Sequence, residues 1–167
     1  NCEVTIEGDL MRCLSFDDSK EPDAIHESRM HRTYAPEARL LGVAFTDPGV
    51  MTAAPYTVLQ PSHWALEGTG LAAGQSFGQQ SQHERVPGGA SGHETDKVTP
   101  SSPKQTQIIA RGENPENGGA EVVCMDLGKG AVFSTGSITW ATCLFTDKNV
   151  SRITFNVLRH FIKKTTP

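Results

Sequence analysis

Glu121-Val122-Val123-Cys124-Met125-Asp126-Leu127-Gly128-Lys129-Gly130-Ala131-Val132-Phe133-Ser134 is the stretch that decides the fold. Two runs rich in β-branched and apolar residues, 121–127 and 131–134, flank a Gly-Lys-Gly break. That is the pattern of two strands joined by a short glycine-containing turn. Downstream, Val150, Ile153, Val157, Leu158, Phe161 and Ile162 recur at spacings of three, four and one, which places them on a single stripe of a helix. Asn149 is the expected N-cap. Arg159, His160, Lys163 and Lys164 sit where positive charge meets the negative end of the helix dipole.

Upstream of the hairpin, Gln107-Ile108-Ile109-Ala110-Arg111 reads as a strand and 114–119 as a turn rich in breakers. Leu40-Leu41-Gly42-Val43-Ala44-Phe45 reads as a buried strand ended by Asp47-Pro48-Gly49, and 54–59 as another with Pro55 at its start or on an edge. Residues 67–106 form a long Gly/Gln-rich connection, too long for an ordinary loop. It is expected to be an ordered, functional loop with a mobile tip at 78–82. Cys2-Glu3-Val4-Thr5-Ile6-Glu7 alternates like a short strand within an irregular lead-in segment, 1–37. A poorly covered strand followed by polar chain predicts that the sequence starts inside something larger. The division is therefore 1–37 as lead-in and 38–167 as the C-terminal part of a layered α/β domain. Near-continuous apolar runs at Leu40 and Glu121 suggest strands covered on both faces, as in a parallel or mixed sheet.

Composition excludes several classes. Of 167 residues, 37% are hydrophobic and 20% charged, with 16 glycines and 10 prolines, so turns and connections outweigh helix. A net charge of -4 and a pI of about 5.8 supply no basic footprint for nucleic acid. No apolar run is long enough to cross a bilayer. Cys2, Cys13, Cys124 and Cys143 form no C-x-x-C pair and read as reduced thiols of a cytoplasmic protein.

The densest polar cluster is Gly88-Gly89-Ala90-Ser91-Gly92-His93-Glu94-Thr95-Asp96-Lys97. Glycines allow close backbone approach, and an imidazole, two carboxylates and an ammonium follow at once. That inventory suits general acid/base work, with His93 and Glu94 as the catalytic candidates. It equally suits a glycine-rich turn whose charges are solvated or tie the loop down. Pro61-Ser62-His63-Trp64 is the second cluster: His63 and Trp64 could line a substrate pocket with Ser91, or simply anchor a loop. His26 and His31, five apart, do not share a helix face, and no metal-binding motif is present. Ser137 lacks a nucleophile elbow and reads as a turn or capping residue.

Gly119-Ala120-Glu121-Val122-Val123, Gly130-Ala131-Val132-Phe133-Ser134-Thr135-Gly136-Ser137-Ile138-Thr139-Trp140 and Asn149-Val150-Ser151-Arg152-Ile153-Thr154-Phe155-Asn156-Val157-Leu158 resemble the C-terminal end of the large (beta) subunit of N,N-dimethylformamidase. So do 41–49 and 89–96. The resemblance spans roughly residues 38 to 162. It implies a three-layer domain like that of the class I glutamine amidotransferases, with a mixed or mostly parallel sheet and a closing amphipathic helix. It also implies an amidohydrolase that breaks the C–N bond of small amides, with a mononuclear iron held by tyrosines and a glutamate. The only tyrosines here are Tyr34 and Tyr56, so no cofactor is expected in this chain, and the iron is expected elsewhere in a multi-chain assembly.

Three readings follow. The chain is the C-terminal α/β portion of a dimethylformamidase-like amidohydrolase, structural or lining the site, with the remaining polypeptide or subunits as partners and a small amide as substrate. Alternatively it is a non-catalytic assembly or binding module on the same scaffold. The third is an independent metal-dependent hydrolase, which requires His63, His93 and Glu94 to converge.

Overall fold

A computed structural model describes residues 37–128 and 130–164. The strand expected at 2–7 and nearly all of the lead-in lie outside the described residues. The chain runs α1 (Ala38–Leu41), β1 (Ala44–Thr46), β2 (Ala53–Ala54), β3 (Tyr56–Val58), β4 (Ser76–Phe77), β5 (Ser91–Gly92), β6 (Thr95–Lys97), β7 (Gln107–Gly112), β8 (Glu121–Leu127), β9 (Gly130–Ser134) and α2 (Lys148–Lys164). Short 3-10 turns connect several of these, including Trp64–Leu66 and Ile138–Cys143.

The expectation of a mixed or mostly parallel three-layer sheet is overturned. Among the described residues every strand pairing is antiparallel. One five-stranded sheet has the order β4-β3-β7-β8-β9, and two two-stranded ribbons pair β1 with β6 and β2 with β5. The physical reason lies in β8, where Glu121 to Met125 are all buried. Val122 and Cys124 face the main core, while Val123 and Met125 face the chain at Gly42 and Thr106: Thr106 Oγ1 lies 3.4 Å from the Met125 sulfur, and a Cβ added at Gly42 would stand 3.2 Å from Val123 Cγ2. The strand is thus buried on both faces in an antiparallel sheet, with no crossover helix required. A continuous apolar run reports two covered faces, and it says nothing about strand direction.

The hairpin holds as read: β8 and β9 pair from Val123 opposite Ser134 to Leu127 opposite Gly130. Leu40 to Phe45 does not form one strand. Residues 38–41 make a helical turn closed by Gly42 in the left-handed conformation (φ +80°), and only then does β1 begin. Leu40 and Leu41 are exposed, while Val43 and Ala44 are buried.

The core lies between the large sheet and α2. Tyr56 stacks on Phe77 (centroids 5.6 Å apart, planes at 19°) and meets the edge of Trp140 at 5.6 Å. Val150, Ile153 and Val157 of α2 complete the cluster. Full burial of such side chains contributes about 1.5–3 kcal/mol each. The stripe expected on α2 therefore divides: Val150, Ile153, Val157 and Phe161 pack inward, whereas Leu158 and Ile162 are exposed together with Phe155. The N-cap also differs. Asp147 Oδ1 accepts from the amides of Asn149 (2.8 Å) and Val150 (3.0 Å), so Asp147 rather than Asn149 satisfies the first turn.

The 67–106 connection carries β4, β5 and β6 and stitches itself to the rest of the domain through them. Its expected tip is pinned. Gly78 N donates to Asp147 Oδ2 (2.8 Å), Thr146 Oγ1 donates to Gln80 O (2.9 Å), and Ser81 and Thr142 share a hydroxyl hydrogen bond (2.6 Å). Among the described residues, no helix is long and apolar enough to cross a membrane. Cys124 and Cys143 are buried reduced thiols, and burial pushes the Cys143 thiol up to about 11.

Candidate functional site

Residues 91–97 run from β5, paired with Ala53–Ala54, to β6, paired with Ala44–Thr46. The backbones there approach so closely that a Cβ at Gly92 would stand 2.2 Å from Thr52 O, so only glycine fits. His93 follows in the left-handed conformation (φ +66°), which non-glycine residues adopt at a cost of about 1 kcal/mol. Two hydrogen bonds hold it there: His93 N to Thr52 O and Met51 N to His93 O, each 2.9 Å. The strained residue carries an imidazole beside an exposed carboxylate, Glu94.

His93 has a partner that the sequence did not single out. Its Nδ1 lies 3.0 Å from His83 Nε2. Val86 N donates to His83 Nδ1 (3.2 Å), so that nitrogen carries no proton. In the neutral tautomer His83 bears its hydrogen on Nε2 and donates it to His93 Nδ1, and the matching tautomer of His93 carries its N–H on Nε2. In this tautomer His93 Nε2 is a donor, not a base.

Ser91 is fully buried and structurally committed. Its hydroxyl donates to Asn114 Oδ1 (2.6 Å) and accepts from Ala120 N (3.0 Å). Asn114 Nδ2 in turn reaches Thr52 Oγ1 (2.7 Å) and Ser91 O (3.0 Å). Ser137, read as a turn or capping residue, stands at the N-cap of the 138–143 turn but makes no side-chain cap there; its hydroxyl instead accepts from Gly92 N (2.7 Å) and donates to Gly92 O (3.0 Å). Buried hydroxyls satisfied in this way fix the loop and are not nucleophiles.

Asp96 is the half-buried carboxylate of the segment. Burial, and then the nearby Glu37 and Glu94 carboxylates, raise its carboxyl to about 6. It stood within the quoted cluster, but no pattern distinguished it from Glu94. Next to it, Lys97 Nζ donates to Asn117 O (2.5 Å) at a cavity of about 400 Å³ that Thr46, Thr99 and Glu116 also line. Burial lowers the Lys97 ammonium from its ordinary value, with Glu121 opposing. Neither His93 nor Glu94 lines that cavity.

His63 and Trp64 belong elsewhere. Trp64 stacks on His160 of α2 (4.0 Å, 11°) and His63 packs against Trp64 at 5.0 Å. His63 Nδ1 accepts from Ala65 N, capping the 3-10 turn. Burial, and then the charge of His160, lower the His63 imidazole. The pair lines a cleft of about 250 Å³ with Gln107, Cys124, Asp126 and His160. Among the described residues no three His, Cys, Asp or Glu side chains converge on a metal site, so His63, His93 and Glu94 are not brought together as ligands.

Tyr56 does not fit an iron ligand. It is fully buried, its hydroxyl donates to Thr135 O (2.7 Å), and burial drives its ionisation far above the ordinary range. A ligating tyrosine must give up the proton that Tyr56 spends on Thr135. Tyr34 lies outside the described residues.

Residues 9–151 match the family model described as N,N-dimethylformamidase beta subunit-like, C-terminal. No curated protein matches the chain.

Proposed function

Because the chain belongs to the N,N-dimethylformamidase beta subunit-like, C-terminal family, we propose that it is the C-terminal portion of an amidohydrolase that breaks the C–N bond of small amides. In this reading the domain supplies structure and one wall of the site, and the rest of the subunit and its partners supply the remainder. Iron, where the complete assembly uses it, is held by polypeptide other than the described residues, since Tyr56 is committed to Thr135.

The observation that carries the role of the loop is the exposed Glu94 carboxylate presented directly after His93, a residue held in left-handed backbone between braced strands. Strain of that kind concentrates at working sites. In this reading Glu94 takes or returns a proton at a substrate held against the rest of the assembly. In the same reading the Nε2–H of His93 hydrogen-bonds and orients that substrate.

The test is Glu94→Gln and His93→Ala in the complete enzyme, following release of dimethylamine from N,N-dimethylformamide. A fall in turnover of about 10²-fold or more for Glu94→Gln, with the fold intact, is expected of a proton-transfer group. Unchanged turnover removes the loop from the chemistry. It would favour the second reading, a non-catalytic assembly module, which the structural commitment of the Ser91 and Ser137 hydroxyls supports.

A further inference from the structure

On the side of α2 away from the core interior, Arg152, Asn156, Arg159, His160 and Lys163 follow one another at i, i+4, i+7, i+8 and i+11, which is one face of a helix. With Trp64 and Glu67 they line a cleft of about 270 Å³. In a chain with more acidic than basic residues, this is a local concentration of cations.

The cations are positioned. Arg152 Nε donates to Glu67 O (3.3 Å), leaving its two terminal nitrogens for a ligand. A Cβ at Gly68 would stand 2.8 Å from Arg152 Nη2, so the guanidinium lies over bare backbone. Asn156 Nδ2 is fixed by Ala65 O (2.9 Å) and Glu67 O (2.8 Å). The stacked Trp64 and His160 rings make a rigid wall. Among the described residues, Arg111 is ion-paired with Glu121, whereas Arg152, Arg159 and Lys163 are in no ion pair, with Glu67 included. Three like charges on one helix face repel one another unless an anion lies between them.

We propose that this cleft binds an oxyanion, the phosphate or carboxylate group of a small ligand, through Arg152, Arg159 and Lys163 with Trp64 and His160 as its wall. A planar guanidinium held by a backbone carbonyl presents its free N–H fork to just such a group. The Glu67 carboxylate at the rim sets the affinity by repulsion. This site is separate from the 91–97 loop and does not depend on amide hydrolysis.

The test is calorimetric titration of the chain with inorganic phosphate and, separately, succinate, at about 0.15 M ionic strength where loose surface attraction is screened. Trp fluorescence is followed in parallel. Saturable one-to-one binding is expected, weakened at least about tenfold in R159A/K163A and strengthened in Glu67→Gln. All these side chains but Trp64, Asn156 and His160 are exposed, so the variants should keep the thermal transition of the parent. Binding of phosphate alone identifies a phosphate-bearing ligand, binding of succinate alone a carboxylate, and either supports the proposal. Absence of saturable binding by both, or equal binding by R159A/K163A, overturns it.

Discussion

Met51 and His93 face each other in the same left-handed conformation, φ +58° and +66°, and Met51 N donates to His93 O across the gap at 2.9 Å. Two unfavourable backbones are thereby locked by one bond, next to the carboxylate proposed to work on substrate.

The first prediction concerns that lock. Met51 is 55% exposed, so Met51→Gly forfeits little packing while removing the clash of a Cβ in left-handed backbone. It should raise stability by up to about 1 kcal/mol, read as a rise in the urea midpoint. His93→Gly relieves the same strain but also loses the hydrogen bond to His83, so its gain should be smaller or reversed. Equal stabilisation by both would show that the imidazole pair contributes nothing.

The second prediction concerns Asp96. Its carboxyl keeps its proton to about pH 6 in the folded chain but releases it near 3.8 when unfolded. The folded state therefore binds more protons across that window, and stability falls as pH rises from about 4 to 6 and stays reduced above. Asp96→Asn should stabilise the domain by about 1–3 kcal/mol at pH 7 and flatten this slope. Denaturant titrations at pH 4 and pH 7 measure it. Glu94→Gln removes one of the charges that raises the Asp96 carboxyl, so it should shift the window downward.

Asp147 carries the third. Its Oδ1 caps α2 at Asn149 and Val150 while its Oδ2 holds Gly78 N. Asp147→Ala should cost about 1–2 kcal/mol from the cap alone. Hydrogen exchange should quicken at the Gly78, Asn149 and Val150 amides together. Faster exchange confined to the helix would mean that the 78–82 segment is held by its other contacts.

The fourth tests an ion pair. Glu121 is buried, accepts from Arg111 Nε and Nη2 at 2.8 Å, and takes Val98 N on its other oxygen. Arg111→Met strands that carboxylate and should destabilise by about 2–4 kcal/mol, measured as a fall in Tm. Arg111→Met with Glu121→Gln should recover part of the loss, because the amide oxygen can still accept from Val98.

How much of this was legible from the residues varies with the range of the interaction that decided each element. The β8–β9 hairpin and α2 were readable because their periodicity and their breakers are local. Strand direction was not, because the cover over Val123 and Met125 comes from Gly42 and Thr106, far off in sequence. The short run at Leu40 has no period long enough to separate helix from strand. Asn149 and Asp147 are equally good capping types, and only the folded position of the carboxylate chooses between them. At the candidate site, His93 and Glu94 stood out through the density of polar groups after a glycine run. His83 did not, since nothing in the surrounding Gln/Ser-rich chain marks it as the partner of His93. His63 and Trp64 were read into the same pocket, whereas the 3-10 turn Trp64–Leu66 carries them to α2.

The packing of Val150, Ile153 and Val157 against Tyr56 and Phe77 also governs the order of events during synthesis. Until α2 has left the ribosome, the rings of Tyr56, Phe77 and Trp140 have no lid, and a nascent chain halted before residue 150 would offer them to chaperones. Folding of this domain thus waits on α2, and a truncation before residue 150 should unfold the sheet along with the helix it removes.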